Sequence, residues 1–98
     1  MALYGTEIVF VLGPGMHDEA RAVARRLAAA AAGASRHVLF LNDAGEYGAL
    51  AEWSVHEDAA AYASRPATAA VLDDLTARLG RRPSVRVYAM EEHVTGTD

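Results

Sequence analysis

The side chains able to move a proton near neutral pH are His17, His37, His56 and His93, with the phenols of Tyr47, Tyr62 and Tyr88 as possible donors. Histidine has the intrinsic pKa suited to a general base. His37 opens an apolar run, at the mouth of a strand. It reads either as a base facing a pocket or as a surface histidine at a strand end. His17 precedes a helical pattern and reads as a cap or a base. His56 follows a strand, and His93 lies in the tail. Trp53 is the one tryptophan. In a strand it shares a face with Ala49 and Ala51, whose small side chains leave room beside the indole. An apolar slot with one flat aromatic wall suits a planar phenolic or polycyclic ligand. The competing reading makes Trp53 a core filler. Tyr62 falls on the helical segment that covers Trp53, where it either donates to a bound oxygen or closes the core.

Other chemistries are excluded by what the chain lacks. It has no cysteine, which removes disulfides, thiolate metal sites and a cysteine nucleophile. No pair of histidines has metal-ligand spacing on one helix face, so neither metal nor cofactor is expected. Gly13-Pro14-Gly15 lacks the lysine and the longer glycine spacing of a phosphate loop. His17 is followed by Asp18 and Glu19, which would repel a phosphoryl group. Asp73 and Asp74 are adjacent and point different ways, as on a solvated helix face. Thirteen acidic side chains against nine arginines give a net charge of -4, which opposes nucleic-acid binding. The compact basic cluster of Arg78, Arg81, Arg82 and Arg86 reads as a solvated turn. The longest apolar stretch, 27–32, falls well short of the ~20 residues of a membrane span. No basic start or cleavage pattern marks a secretory signal, and a cytoplasmic protein is expected.

These residues need elements to position them. Residues 7–12 (Glu7-Ile8-Val9-Phe10-Val11-Leu12) form a buried strand stopped by Gly13-Pro14-Gly15. Ala20, Val23, Ala24, Leu27, Ala28 and Ala31 recur at spacings of three and four, which predicts an amphipathic helix starting near His17-Asp18-Glu19 and ending at Gly33. Residues 37–41 form a second strand and 47–55 a third, joined by the turn-forming run Asn42-Asp43-Ala44-Gly45-Glu46 as an antiparallel hairpin. His56-Glu57-Asp58 opens an alanine-rich helical turn that Pro66 interrupts. Thr68, Val71, Leu72, Leu75 and Leu79 then make a second apolar stripe, closed by Gly80. Residues 85–90 form the last strand, and a frayed tail is expected from Thr95. With 98 residues there is room for one domain, 1–98. The order β-α-β-β-α-β is that of a ferredoxin-like α+β sandwich.

This order leaves one side of the sheet uncovered, because two helices can screen only one face. The first strand is nonetheless apolar on both, with Ile8, Phe10 and Leu12 on one side and Val9 and Val11 on the other. Wetting the second side forfeits about 25 cal/mol per Å² of apolar area. A domain this small buries only roughly two thirds of its unfolded surface, so association is a common supplement. A homodimer packed sheet on sheet is expected; the alternative is that helices, loops or the tail wrap around.

From Ala49 to Met90 the letters resemble the antibiotic biosynthesis monooxygenases of the dimeric α/β-barrel superfamily. The carrying residues are Ala51-Glu52-Trp53-Ser54, then Glu57, Ala59, Tyr62, Ser64, Val71-Leu72, and the final-strand run Pro83-Ser84-Val85-Arg86-Val87-Tyr88. The first half fits by topology and by Pro14-Gly15 before the first helix. The resemblance implies a dimeric α/β barrel and a cofactor-independent monooxygenase of secondary metabolism, acting on a phenol, anthrone or hydroquinone of polyketide type. Such a reaction needs a base, donors to the substrate oxyanion and a dry cavity, with O2 as co-substrate. His37 or Tyr62 would serve the proton or the oxyanion, and Trp53, Ala49, Ala51 and Phe10 would hold the substrate. An aromatic polyketide cyclase or isomerase, and a non-catalytic dimeric small-molecule-binding accessory protein, are the alternatives. The sequence departs from the family where its cofactor-free oxygenases carry an asparagine four residues before the tryptophan, since Ala49 stands there. It also lacks the first-strand asparagine and second-helix histidine of the haem-degrading relatives, so no haem function is implied.

Overall fold

A computed structural model of the chain describes residues 3–91. Its elements are β1 (Leu3–Val11), α1 (His17–Ala29), β2 (Arg36–Leu41), β3 (Glu46–Trp53), α2 (His56–Ala61), a 3-10 turn (Tyr62–Ser64), α3 (Pro66–Leu79) and β4 (Ser84–Met90). The strands form one antiparallel sheet in the order β2-β3-β1-β4. This is the ferredoxin-like arrangement expected from the order of elements. His93 and the tail from Thr95 lie outside the described residues.

Strand parity decides what each face carries. Ile8 pairs with Ala49 and Val85, and Thr6 with Ala51 and Val87, so these residues share the helix-covered side. On β2 the same side carries His37 and Leu39, opposite Ala51 and Ala49. The core between this face and the helices holds Ile8, Phe10, Val23, Leu27, Tyr47, Trp53, Tyr62, Val71, Leu72 and Leu75. Thr6 ties the layers together, its hydroxyl donating to the Ala59 carbonyl at 2.7 Å.

β3 ends at Trp53 rather than Val55, which caps α2, several other ends move by one residue, and three further differences from the sequence reading each have a physical reason. β1 begins at Leu3 rather than Glu7, because Tyr4 and Gly5 find partners on both sides, Trp53 and Glu52 on β3 and Ala89 and Tyr88 on β4. α1 ends at Ala29, four residues before Gly33. Its last turn is closed from outside: the Tyr62 hydroxyl donates to the Leu27 carbonyl, and the Arg65 guanidinium donates to Ala30 O at 3.0 Å and Ala32 O at 2.9 Å. Side chains from distant sequence thus satisfy carbonyls that a helix end leaves open. Pro66 begins α3 rather than merely interrupting a helix, since a proline at the first helical position loses no needed N–H. At the other end Gly80 takes φ 68 and donates to the Thr76 carbonyl, the left-handed stop that the sequence predicts.

Among the described residues no helix lies on the opposite side of the sheet. Phe40, Val11 and Tyr88 stand on it 50%, 45% and 38% exposed. Val9, Val38 and Leu50 lie half-buried among them. Glu7, Glu52, Arg36 and Arg86 share the same face by register. Arg36 pairs with Glu52 at 3.3 Å, and Tyr88 donates to Glu7 at 3.1 Å.

Candidate functional site

The residues singled out for chemistry fall into three places. The first is the interior around Trp53. β3 delivers Ala49, Ala51 and Trp53 to one face, all at most 1% exposed, and the α2–α3 junction lays Tyr62 over them. The Tyr62 and Trp53 rings lie 5.3 Å apart, tilted by 53°. The room that Ala49 and Ala51 leave beside the indole is thus taken by protein. Arg65 completes the arrangement, with its guanidinium carbon 4.8 Å from the Trp53 ring centroid.

Within this interior two polar atoms have no partner: the indole Nε1 of Trp53 and the hydroxyl of Thr68. Both residues are fully buried. Leaving such groups unsatisfied costs about 1–3 kcal/mol each. The Thr68 hydroxyl stands near enough to Tyr62 to pull its pKa partly back, yet it completes no hydrogen bond. Burial dominates and pushes the phenol up to about 12, against smaller opposing effects of Arg65 and Thr68. Tyr62 is therefore a donor at neutral pH and not a base.

His37 occupies the second place. It sits half-buried on β2, on the same face as Trp53 and opposite Ala51. It lines a shallow depression with Leu39 and the α1 residues Arg21, Ala24, Arg25 and Ala28, about 290 Å³ in volume. Burial lowers its pKa below 6.5, so the imidazole is neutral and able to accept a proton at pH 7. Tyr62 is absent from that depression, since its hydroxyl reaches the Leu27 carbonyl instead. The two sequence-predicted proton-handling residues share a face but no common cavity.

The third place escaped the sequence reading. It is a hollow of about 490 Å³ at the corner of β1, α3 and β4, lined by Val9, Phe10, Val11, Leu79, Pro83 and Ser84, with Gly80, Arg81 and Arg82 at the connecting turn. Phe10 alone among the expected substrate-binding residues reaches it. Sequence periodicity places each of these residues on its own element. It does not show that β1 outruns β4 at this corner, and that mismatch opens the hollow.

The remaining candidates are structural. His17 packs edge-on against Tyr47 with ring centroids 5.8 Å apart, and makes no cap hydrogen bond. The Tyr47 hydroxyl donates to Gly13 O and accepts from the Met16 amide, fixing the loop before α1. His56 packs edge-on against Tyr4. Asp74 pairs with Arg26 at 2.8 Å, and Asp73 with Arg82 at 3.4 Å. Among the described residues no three of His, Asp and Glu converge closely enough to hold a metal ion. No described helix is long and apolar enough to cross a membrane.

No family model and no curated protein matches the chain. Solved structures do. SnoaB of Streptomyces nogalater, a cofactor-independent oxygenase, superposes with a TM-score of 0.64 at 21% identity, covering 96% of this chain and 95% of that one. Rv0793 of Mycobacterium tuberculosis gives 0.69 at 16% identity over 95% and 99% of the two chains. A Caulobacter crescentus protein provisionally assigned as an antibiotic biosynthesis monooxygenase gives 0.68 at 15% identity over 93% and 92%. Over nearly its whole length, the chain has the fold in which a cofactor-independent oxygenase and the antibiotic biosynthesis monooxygenases are built.

Proposed function

We propose that the chain is a member of the antibiotic biosynthesis monooxygenases and oxidises a planar phenol, anthrone or hydroquinone of polyketide type with O2 and without a cofactor. The observation that carries this reading is the pair of buried polar atoms without a partner, Trp53 Nε1 and Thr68 Oγ1, whose residues both neighbour Tyr62. An N–H and an O–H held in an apolar enclosure are what a substrate oxyanion requires. The match of the fold to a cofactor-independent oxygenase and the Glu52-Trp53 element support the same reading.

In this mechanism the substrate enters against Trp53, displacing the Tyr62 ring, and its oxygen accepts from Trp53 Nε1 and Thr68 Oγ1. Ala49, Ala51 and Phe10 give it an apolar floor. For His37, neutral at pH 7 and opposite Ala51 on the same face, to accept the proton from the reacting carbon or hydroxyl, the substrate must also part the side chains that separate its depression from the Trp53 interior. For an anthrone the resulting anion gives one electron to O2, and the radical pair joins as a hydroperoxide at that carbon. Loss of water then breaks the O–O bond: one oxygen atom becomes the new quinone carbonyl and the other leaves in water. No outside reductant is needed, because oxidation of the anthrone CH2 to C=O supplies all four electrons that reduce O2.

The open face of the sheet is the seat we assign to a second copy of the chain. It presents Phe40, Val11 and Tyr88 together with both signs of charge, Glu7 and Glu52 with Arg36 and Arg86. A two-fold axis can set such a face against itself.

A second reading has its own support. Tyr62 and Arg65 already serve as caps for α1, and Ala49 offers no polar group. A small-molecule-binding accessory protein would show these features as well. Oxygen uptake by metal-free protein with a panel of anthrones and hydroquinones separates the two. Acceleration over buffer is the expected result; ligand binding without uptake would favour the accessory protein. Product formed equally well under anaerobic conditions would indicate a cyclase or isomerase.

A further inference from the structure

We propose that the corner hollow between β1, α3 and β4 is a binding site for an aromatic anion, a carboxylate or phenolate on two or three fused rings. The hollow exists because the strands differ in reach. β1 continues to Val11, whereas β4 joins it first at the Val9–Ser84 pair. Phe10 and Val11 therefore lack a β4 neighbour. α3 stops at Leu79, Gly80 turns left-handed, and residues 81–83 arc back to the sheet, with Pro83 buried. A space of about 490 Å³ remains under that arc, within the range of small-molecule sites.

Its walls specify the ligand. Val11, 45% exposed, and the half-buried Leu79 give the space its accessible apolar surface, with Phe10 and Pro83 buried at its edge, and such walls suit a ring system. Polarity enters at the turn, as Arg81, Arg82 and Ser84. Arg81 has no ion pair or hydrogen bond among the described residues, and Arg82 meets Asp73 only at 3.4 Å with both side chains exposed. The chain carries a net charge of -4, yet Arg78, Arg81 and Arg82 gather at this turn. A local excess of guanidinium groups beside an apolar hollow selects an anion that carries its own apolar body. That these arginines only offset the negative end of α3 would account for their charge but not for the hollow. The proposal does not rest on the oxygenase reading, since occupancy of this corner requires no turnover and involves neither Trp53 nor His37.

Titration of uniformly 15N-labelled protein with 2-naphthoate tests it. The expected result is saturable shifts centred on the amides of 9–11 and 79–84, and binding at least roughly tenfold weaker in an Arg81→Gln/Arg82→Gln double variant. The neutral analogue 2-naphthalenemethanol should bind more weakly than naphthoate and be indifferent to the double substitution. Arg86→Gln, on the open sheet face, should leave binding unchanged. Leu79→Trp, which fills the hollow without touching the charges, should abolish it. Shifts centred on Val38, Phe40 and Tyr88 rather than on 9–11 and 79–84, no saturable binding, or equal affinity in the double variant would each overturn the proposal.

Discussion

Tyr62 and His37 show how one environment makes different tools of two titratable side chains. Both lose solvation, and burial disfavours the charged form of each. The phenol is raised to about 12, so it stays protonated and donates; the imidazole is lowered and stays neutral. Each shift has a stability signature. The folded state holds the Tyr62 proton more tightly than the unfolded chain does, so its contribution is whole below pH 10 and is lost as pH rises toward 12. Tyr62→Phe should remove that alkaline loss. It should also cost about 1–2 kcal/mol at pH 7, because the Leu27 carbonyl loses its donor. Denaturant unfolding of both proteins at pH 7 and pH 11 checks this. For His37 the sign is opposite. The unfolded chain binds the proton more readily, so the contribution is present above pH 6.5 and is lost as pH falls through the lower folded value. His37→Gln should therefore be less sensitive than the wild type to acidification from pH 7.5 to 5, read as the difference in Tm between the two pH values.

Most of the element order is legible in the sequence because hydrophobic spacing reports faces directly. The alternation Ala49, Ala51, Trp53 against Leu50, Glu52 fixes both sides of β3, and Thr68, Val71, Leu72 and Leu75 mark the buried stripe of α3. Where the reading missed, the determinant was a contact between residues far apart in sequence. Gly33 has the right chemistry for a helix stop, but the α1 carbonyls are met by Tyr62 and Arg65, more than thirty residues away. The same limit applies to the candidate site. Periodicity puts Trp53 and Tyr62 on facing elements, but it cannot say whether the space between them is empty or filled by the tyrosine ring itself. Arg65 is the residue in which these facts meet, as cap of α1 and cation over the indole. Arg65→Met keeps the aliphatic stem and removes both roles. It should destabilise the protein by about 1–3 kcal/mol and shift the Trp53 fluorescence, checked by urea unfolding followed by tryptophan emission. Arg65→Lys should recover only part of the loss, because a compact, strongly hydrated ammonium does not replace the guanidinium plane that lies over the indole.

At the scale of the molecule, the sheet has one side covered by helices and one that no described helix covers. Phe40 at half exposure beside Val38, Val9 and Leu50 is a surface that a lone soluble protomer seldom shows. We expect a dimer at micromolar concentration by light scattering, and Phe40→Lys should dissociate it or weaken it at least roughly tenfold by placing a like-charged pair across the two-fold axis. A monomeric wild type would remove the dimeric barrel from the account while leaving the protomer fold intact. The central claim is chemical, and isotope labelling reaches it most directly. Metal-free protein turning over 1,8-dihydroxyanthrone under 18O2 should accelerate product formation and place one labelled oxygen atom in the quinone, with the other in water. Product formed no faster than in buffer, or formed without the label, would contradict it.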